Sequence, residues 1–456
     1  MSATPSSSRA QGSSIIRGSL ISLGVRLLDL PSRYGFHLLV AAALGVVDTG
    51  RFYIVFSVMV ALAGFGRLGM DQALTRQIAM DMASDRAAAV RPAIRRALCL
   101  VLAASAAVTA LLAVGAAPFA HDVLRKNDLA LPLALGALAI VPQNLGAALA
   151  GALAGLQRVG YSQMIYSWLW PTLFCVVAIG LKLAGLFTVT RALILIAASF
   201  ALAALVGAIL LKRALIAVPA ATIDAHAPSP QPLLRPALSL FTLELTKLLI
   251  TSAPAIVLGI VATDRETGLF ALTWRMALVI NLLISGVIGM AVPKFAELYA
   301  RGNTQALEKN AAQAIGLVLC LALPAVACLL IFPERLLGLF GHGYDQGATT
   351  LRILALGQLA AACFTAMPEM LGMTAHMRAL YKINACTLAV LLVGLAALAP
   401  LGGSAGAALA TSLALAVNGA AAAWMAHRLL GVAPLARLWR DARGRLRPAR
   451  RNGETP

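Results

Sequence analysis

Between positions 19 and 37, six polar residues follow one another at helical spacing: Ser19, Ser22, Arg26, Asp29, Arg33 and His37. Residues three, four or seven apart share one face of a helix, so the six form a single polar stripe with Leu and Val opposite. A second stretch, LFTLELTKLLITSAP, sets Glu244, Lys247 and Thr251 on one face, and ALTWRMAL adds Arg275. Both stretches are otherwise apolar enough for a membrane interior. A charge at the bilayer centre costs about 3 kcal/mol or more, so such residues normally face a wet cavity or a partner. Pairing of Arg26 with Asp29 and of Glu244 with Lys247 absorbs part of the charge, and the set stays cationic. A one-signed, water-filled cavity gathers anions, and the planar guanidinium fork matches phosphate oxygens. We therefore expect Arg26, Arg33, Lys247 and Arg275 to bind an anionic, phosphate-bearing cargo. Asp29 and Glu244 are expected to tune those charges or carry a coupling proton.

The elements that position these residues follow from composition. The chain has 456 residues, 60% hydrophobic and 12% charged. Soluble domains are nearer a quarter charged, so the balance excludes a globular enzyme. The surplus of Ala, Leu, Val and Gly suits packed transmembrane helices, where small residues let backbones approach, and no alternating-strand pattern suggests a β-barrel. Segments of about 20 apolar residues predict an all-α polytopic membrane protein of about twelve transmembrane helices in two six-helix pseudo-symmetric lobes. The lobes are expected at 1–213 and 236–427, joined by a Pro- and Ala-rich cytoplasmic linker, 214–235, and followed by a basic cytoplasmic tail, 428–456. The first apolar run is too long for a signal-peptide core and is expected to be retained. Lys and Arg gather in the loops after even-numbered helices and in the tail, which predicts cytoplasmic termini. That bias, with attraction of the tail to anionic lipid, explains the +19 net charge without nucleic acid.

The halves resemble each other at an offset near 220. ALAGLQRVGYSQM matches MTAHMRALYKIN, placing Arg158 on Arg378 and Tyr161 on Tyr381, and LALG recurs at 133–136 and 354–357. Aligning LG at 44–45 with 258–259 places Arg33 on Lys247, both near mid-depth. With an even number of spans per half, the repeat is parallel, an arrangement suited to two bundles rocking about a central cavity. Of the other polar residues, Gln143, Asn144 and Gln358 read mainly as bridges between helices, and Glu369 reads as a buried acid satisfied by a neighbouring donor, with a proton relay as the alternative. Six cysteines lie in or beside apolar runs and behave as small hydrophobes. Neither a metal-spaced cluster nor a P-loop is present, so no metal or other cofactor is expected.

With these residues in place, the chain resembles the polysaccharide (oligosaccharide-lipid) flippases of the multidrug/oligosaccharidyl-lipid/polysaccharide exporter superfamily. The first-half cue runs from SLISLGVRLLD through ALGVVDTGRFYIVFSVMVALAGFGRLGMDQALTRQIA, with Gly50, Gly69, Met70 and Arg76 at the family's typical positions. Arg67 stands where an acidic residue is frequent. The second-half cue is the FG..Y..A…LRILALG entry at 340–357, the GMTAHMR turn and the GGSAGAALAT start of the twelfth helix.

The resemblance implies alternating-access transport of undecaprenyl-pyrophosphate-linked oligosaccharide repeat units across the bacterial inner membrane for surface polysaccharide biosynthesis. It implies no enzyme activity. The partners it implies are the lipid-linked oligosaccharide with its pyrophosphate head, membrane lipids and polysaccharide polymerase machinery. Two alternatives are a cation-coupled multidrug antiporter of the same superfamily, which should favour acidic cavity residues, and a membrane polysaccharide polymerase or ligase, which should carry an enlarged external loop. Here the outer connections near 117–129 and 333–348 are short.

Overall fold

A computed structural model describes residues 6–84, 86–216, 234–374 and 376–446; side chains of 6–30, 234–240, 242–243, 282–283 and 441–446 lie outside the description. The described residues are helical and contain no strand. Nine helices among them are long and apolar enough to cross a membrane, or ten when the bent helix Asp264–Ala300 counts as one. Two of these are each a pair of spans fused end to end across a glycine, at Gly45 (φ 75°, ψ 176°) and Gly403 (φ 52°, ψ −129°). Positive φ is tolerated there because glycine lacks a Cβ. Opening those two joints gives twelve spans, as the composition predicts.

The spans are α1 (6–44), α2 (46–67, continued as Met70–Ala83), α3 (Ala87–Pro118), α4 (130–155), α5 (Val159–Leu183), α6 (Val189–Ile216), α7 (Leu234–Val261), α8 (Asp264–Ala300), α9 (Thr304–Ile331), α10 (Ala348–Phe364, continued as Ala366–Met373), α11 (377–402) and α12 (404–430). A further helix, α13 (Pro434–Leu446), follows Gly431 in a left-handed conformation. The expected linker is shorter than drawn, since α6 reaches Ile216 and α7 begins at Leu234; residues 217–233 lie outside the description. Contacts divide the chain into two compact units, Met1–Leu272 and Thr273–Pro456.

The repeat is visible in backbone punctuation. The turn after α2 closes with Arg86 N–H donating to Asp81 O, and the turn after α8 with Asn303 N–H donating to Leu298 O, 217 residues later. The turn after α4 (Arg158 to Leu153) recurs after α10 (His376 to Leu371) at 218. The 3₁₀ turns Asn127–Leu129 and Asp345–Gly347, and the left-handed glycines Gly185 and Gly403, also stand 218 apart. Gly45 pairs likewise with Thr263, which separates α7 from α8. These landmarks correct the sequence alignment: Arg158 is equivalent to His376 rather than Arg378. Carried into α1, the same register pairs Asp29, not Arg33, with Lys247. Arg26 then takes the position of Glu244, so the two charged pairs are exchanged in sign between the repeats.

In the first unit α7 runs antiparallel along α2: Phe241 meets Phe65 at 5.7 Å, Leu245 and Leu248 lie against Gly64, and Gly259 lies against Ile54. The contact tightens toward Gly50. A Cβ on Gly50 would fall on the Asp264 carbonyl, and a Cβ on Gly268 would fall on the Val46 carbonyl. Both pairs obey the 218 register, so the crossing is reciprocal, as across a local two-fold axis. Arg51 caps it with Asp48 (3.3 Å), Asp128 (2.8 Å) and Asp264 (3.0 Å), while Lys126 reaches Asp264 (2.7 Å) and the Ala262 carbonyl (3.2 Å).

Gly268→Ala should therefore force the two backbones apart and destabilise the protein by about 1–3 kcal/mol. Gly180→Ala, in α5 with open space around it, should be neutral or stabilising by up to about 1 kcal/mol. Thermal unfolding of the detergent-solubilised variants measures both; equal melting temperatures would show that the crossing is not tight.

Candidate functional site

The polar stripe of α1 is held by an aromatic nest. Phe36 packs edge-on against Phe174 (4.7 Å) and Trp170 (5.2 Å) of α5 and lies 6.2 Å from Phe52 of α2. Its neighbour His37 shares a hydrogen bond with the Tyr53 hydroxyl (2.7 Å), and Ser32 shares one with Thr172 (2.9 Å). These contacts fix the rotation of α1 around Arg33. Its side chain is exposed, and Nη2 donates to Ser167 Oγ at 3.4 Å.

Ser167 belongs to a π-helical turn, Met164–Trp168, inside α5. Such turns insert one residue into an α-helix and recur at functional sites. Here the turn serves two cations, because adjacent Tyr166 lies beside Arg67 at the far end of α2. Arg67 is 7% exposed, and its Nη1 lies 3.5 Å from Asp71 Oδ2, one helical turn onward. The Glu244 carboxylate of α7 also acts on this guanidinium. Arg67 Nε and Asp71 Oδ1 are buried with no hydrogen-bond partner among the described residues. A buried polar group without a partner loses roughly 1–3 kcal/mol, so these two atoms weaken the pair.

The structure thus brings Glu244 to Arg67, and Arg33 and Arg67 to one turn of α5. Lys247 is exposed, and no carboxylate among the described residues forms an ion pair with it. It lies at the level of Gly64, nearer the Arg67 end than Arg33, rather than level with it as the LG alignment placed it. Arg275 belongs to the second unit, half-buried beside buried Trp274. The backbone of Arg26 and Asp29 is helical, and their side chains lie outside the described residues.

Arg67 is the residue the spacing argument passed over, although its i,i+4 partner Asp71 was readable. Asn144 is a bridge: fully buried, it donates to the Ala63 carbonyl (2.9 Å) and Ser105 (3.0 Å). Among the described residues no group of His, Cys, Asp and Glu is arranged to hold a metal ion.

Residues 15–299 match the family described as polysaccharide biosynthesis protein, and residues 245–398 match the family described as MatE. No curated protein sequence matches the chain. Among solved structures, an inward-facing multidrug resistance MATE family transporter of the MOP superfamily is similar at TM-score 0.70 and 15% identity, over 91% of this chain and 98% of that one. The lipid II flippase MurJ, in an inward closed conformation, is similar at TM-score 0.69 and 13% identity, over 90% of this chain and 87% of that one. At these identities the likeness establishes the fold.

Removing one member of the buried pair should be costly. Asp71→Ala leaves the Arg67 charge to Tyr166 and Glu244 and should destabilise by about 3–5 kcal/mol. Arg76→Ala, an ordinary basic side chain one turn and a half onward, should stay within about 0.5 kcal/mol. Denaturation of the two variants in the same detergent reads the difference, and equal stability would mean that Arg67 is already solvated by water.

Proposed function

We propose, from the premise that the chain belongs to the polysaccharide biosynthesis protein family within the multidrug/oligosaccharidyl-lipid/polysaccharide exporter superfamily, that it is a flippase for undecaprenyl-pyrophosphate-linked oligosaccharide repeat units. The observation that carries the reading is the exposure of Arg33 and Lys247 within membrane-spanning helices of a chain from this family. Lipid rejects such charges, so the exposure is supported by a water-filled path. A pyrophosphate head crossing that path needs cations, while the polyprenyl tail can stay in the bilayer.

In this mechanism Arg26, Arg33, Lys247 and Arg275 hold the diphosphate, and the Arg67 pocket supplies a further donor. Asp29 and Glu244 lower the net charge or carry a coupling proton. The lobes 1–213 and 236–427 rock about the substrate, the polymer machinery receives the repeat unit, and the protein resides in the bacterial inner membrane with both termini in the cytoplasm. Transport by differential exposure of one site needs no bond made or broken by the protein.

The MatE match over 245–398 favours a second reading, a cation-coupled multidrug antiporter. The two separate by charge. An exporter of organic cations should not retain exposed Arg33 and Lys247 in its path, whereas a carrier of diphosphates requires them.

The double variant Arg33→Ala, Lys247→Ala should abolish surface polysaccharide in complemented cells, with the folded protein still present in the membrane. Unchanged polymer in those cells would overturn the proposal. Intact polymer with altered resistance to cationic dyes would select the antiporter.

A further inference from the structure

At one end of the first unit, α3 and α6 diverge and leave a groove of about 490 Å³. Its walls are apolar, with Ile94, Leu98 and Leu149, and its rim carries Arg91, Arg95 and Lys212. Arg91 Nη2 donates to the Leu215 carbonyl at 2.8 Å, closing the rim at the last turn of α6. Arg95 and Lys212 are exposed and, among the described residues, make no ion pair. No acidic residue lines the groove.

The second unit shows what this position does elsewhere in the repeat. Along α9, α13 lies over the surface: Leu438 Cδ1 reaches 3.0 Å from where a Gly316 Cβ would be, and Arg437 donates to the Gln305 carbonyl at 3.1 Å. Arg437 and Arg440 each approach Glu308 at 3.9 Å. The wall is acidic and small, and the chain covers it with a basic amphipathic helix. The register of 217 that holds at this end of α3 and α9 puts Arg91 in the place of Glu308, and Leu98 and Cys99 in the places of Ile315 and Gly316. The first groove is therefore the inverse in charge, with a basic rim over an apolar wall that suits an acidic, amphipathic cover.

We propose that this groove binds an anionic phospholipid, its headgroup phosphate on Arg95 and Lys212 and its acyl chains along Ile94, Leu98 and Leu149. Three observations select a lipid. The cations sit at the ends of spans, the level of headgroups; the wall continues apolar into the membrane; and basic pockets between transmembrane helices hold acidic headgroups by the same combination. Each cation near an anionic surface contributes enough that removing two weakens binding by tens of fold. The site depends on the fold and not on what the protein transports.

The test is titration of the full-length detergent-purified protein with phosphatidylglycerol or phosphatidylcholine, read by native mass spectrometry. Saturable binding of phosphatidylglycerol over phosphatidylcholine is expected, weakened tenfold or more by Arg95→Glu with Lys212→Glu. Leu98→Trp, which fills the wall and keeps the charge, should weaken it as well. Arg213→Glu, an adjacent exposed cation outside the groove, should leave it unchanged. The proposal falls if binding survives the first two variants, if Arg213→Glu weakens it equally, or if inorganic phosphate displaces the lipid at equal concentration, which would make the groove a free-anion site. A poorly folded charge-reversed variant leaves the Leu98→Trp and phosphate arms to decide.

Discussion

Two backbones touch where Gly50 of α2 meets Gly268 of α8, and much of the first unit is arranged around that contact. Neither helix can carry a side chain there, because each Cβ would enter the other's carbonyl. In a bilayer the apolar effect does not press helices together, since lipid tails are as oily as Leu; close packing of small residues and polar contacts must do it. The crossing supplies both. Glycine allows the approach, and Arg51 and Lys126 draw three turns onto Asp264. With α7 fixed to α2 in this way, Leu245 and Leu248 are carried to Gly64, and Glu244 is delivered to the Arg67 pocket. The charge constellation at one end of α2 is thus set by backbone contact at the other.

That geometry explains how charges are tolerated in so apolar a chain. Arg67 is buried beside Asp71, Tyr166 and the field of Glu244, an arrangement that offsets the large desolvation penalty of an isolated ion. Arg33 and Lys247 are instead exposed, and Arg33 donates to Ser167 Oγ at 3.4 Å.

The spans were legible because apolar length is a one-dimensional property; of the stripe on α1, only Arg33 and His37 fall among the described side chains. The repeat was legible in outline and misplaced by two to four residues. In a sequence so rich in Ala and Leu, short matches slide without cost, whereas left-handed glycines, 3₁₀ turns and turn-closing hydrogen bonds mark the register by geometry. LALG at 133 and 354 is such a sliding match, three residues out of step with the turns around it. Arg67 was passed over for a different reason. It ends a span and faces solvent in any linear reading, and only the π-turn of α5, which no local composition announces, turns Tyr166 toward it. Pockets formed between helices distant in sequence are invisible to spacing.

Duplication also frames the differences between the halves. Equivalent surfaces began alike, so a position where one repeat carries Glu308 and the other Arg91 records a change in what each surface meets. In the second repeat the chain itself provides the basic cover, through Leu438, Arg437 and Arg440. A covering helix tied by its own chain is present at high effective concentration and needs only weak contacts, which fits ion pairs as long as 3.9 Å. A mobile ligand has no such tether and must be held by more charge, which fits the clustering of Arg91, Arg95 and Lys212 on the side that no described helix covers. The same packing problem at the end of a helix pair, how to keep apolar wall and polar rim both satisfied, therefore has one covalent solution and one that draws on the membrane.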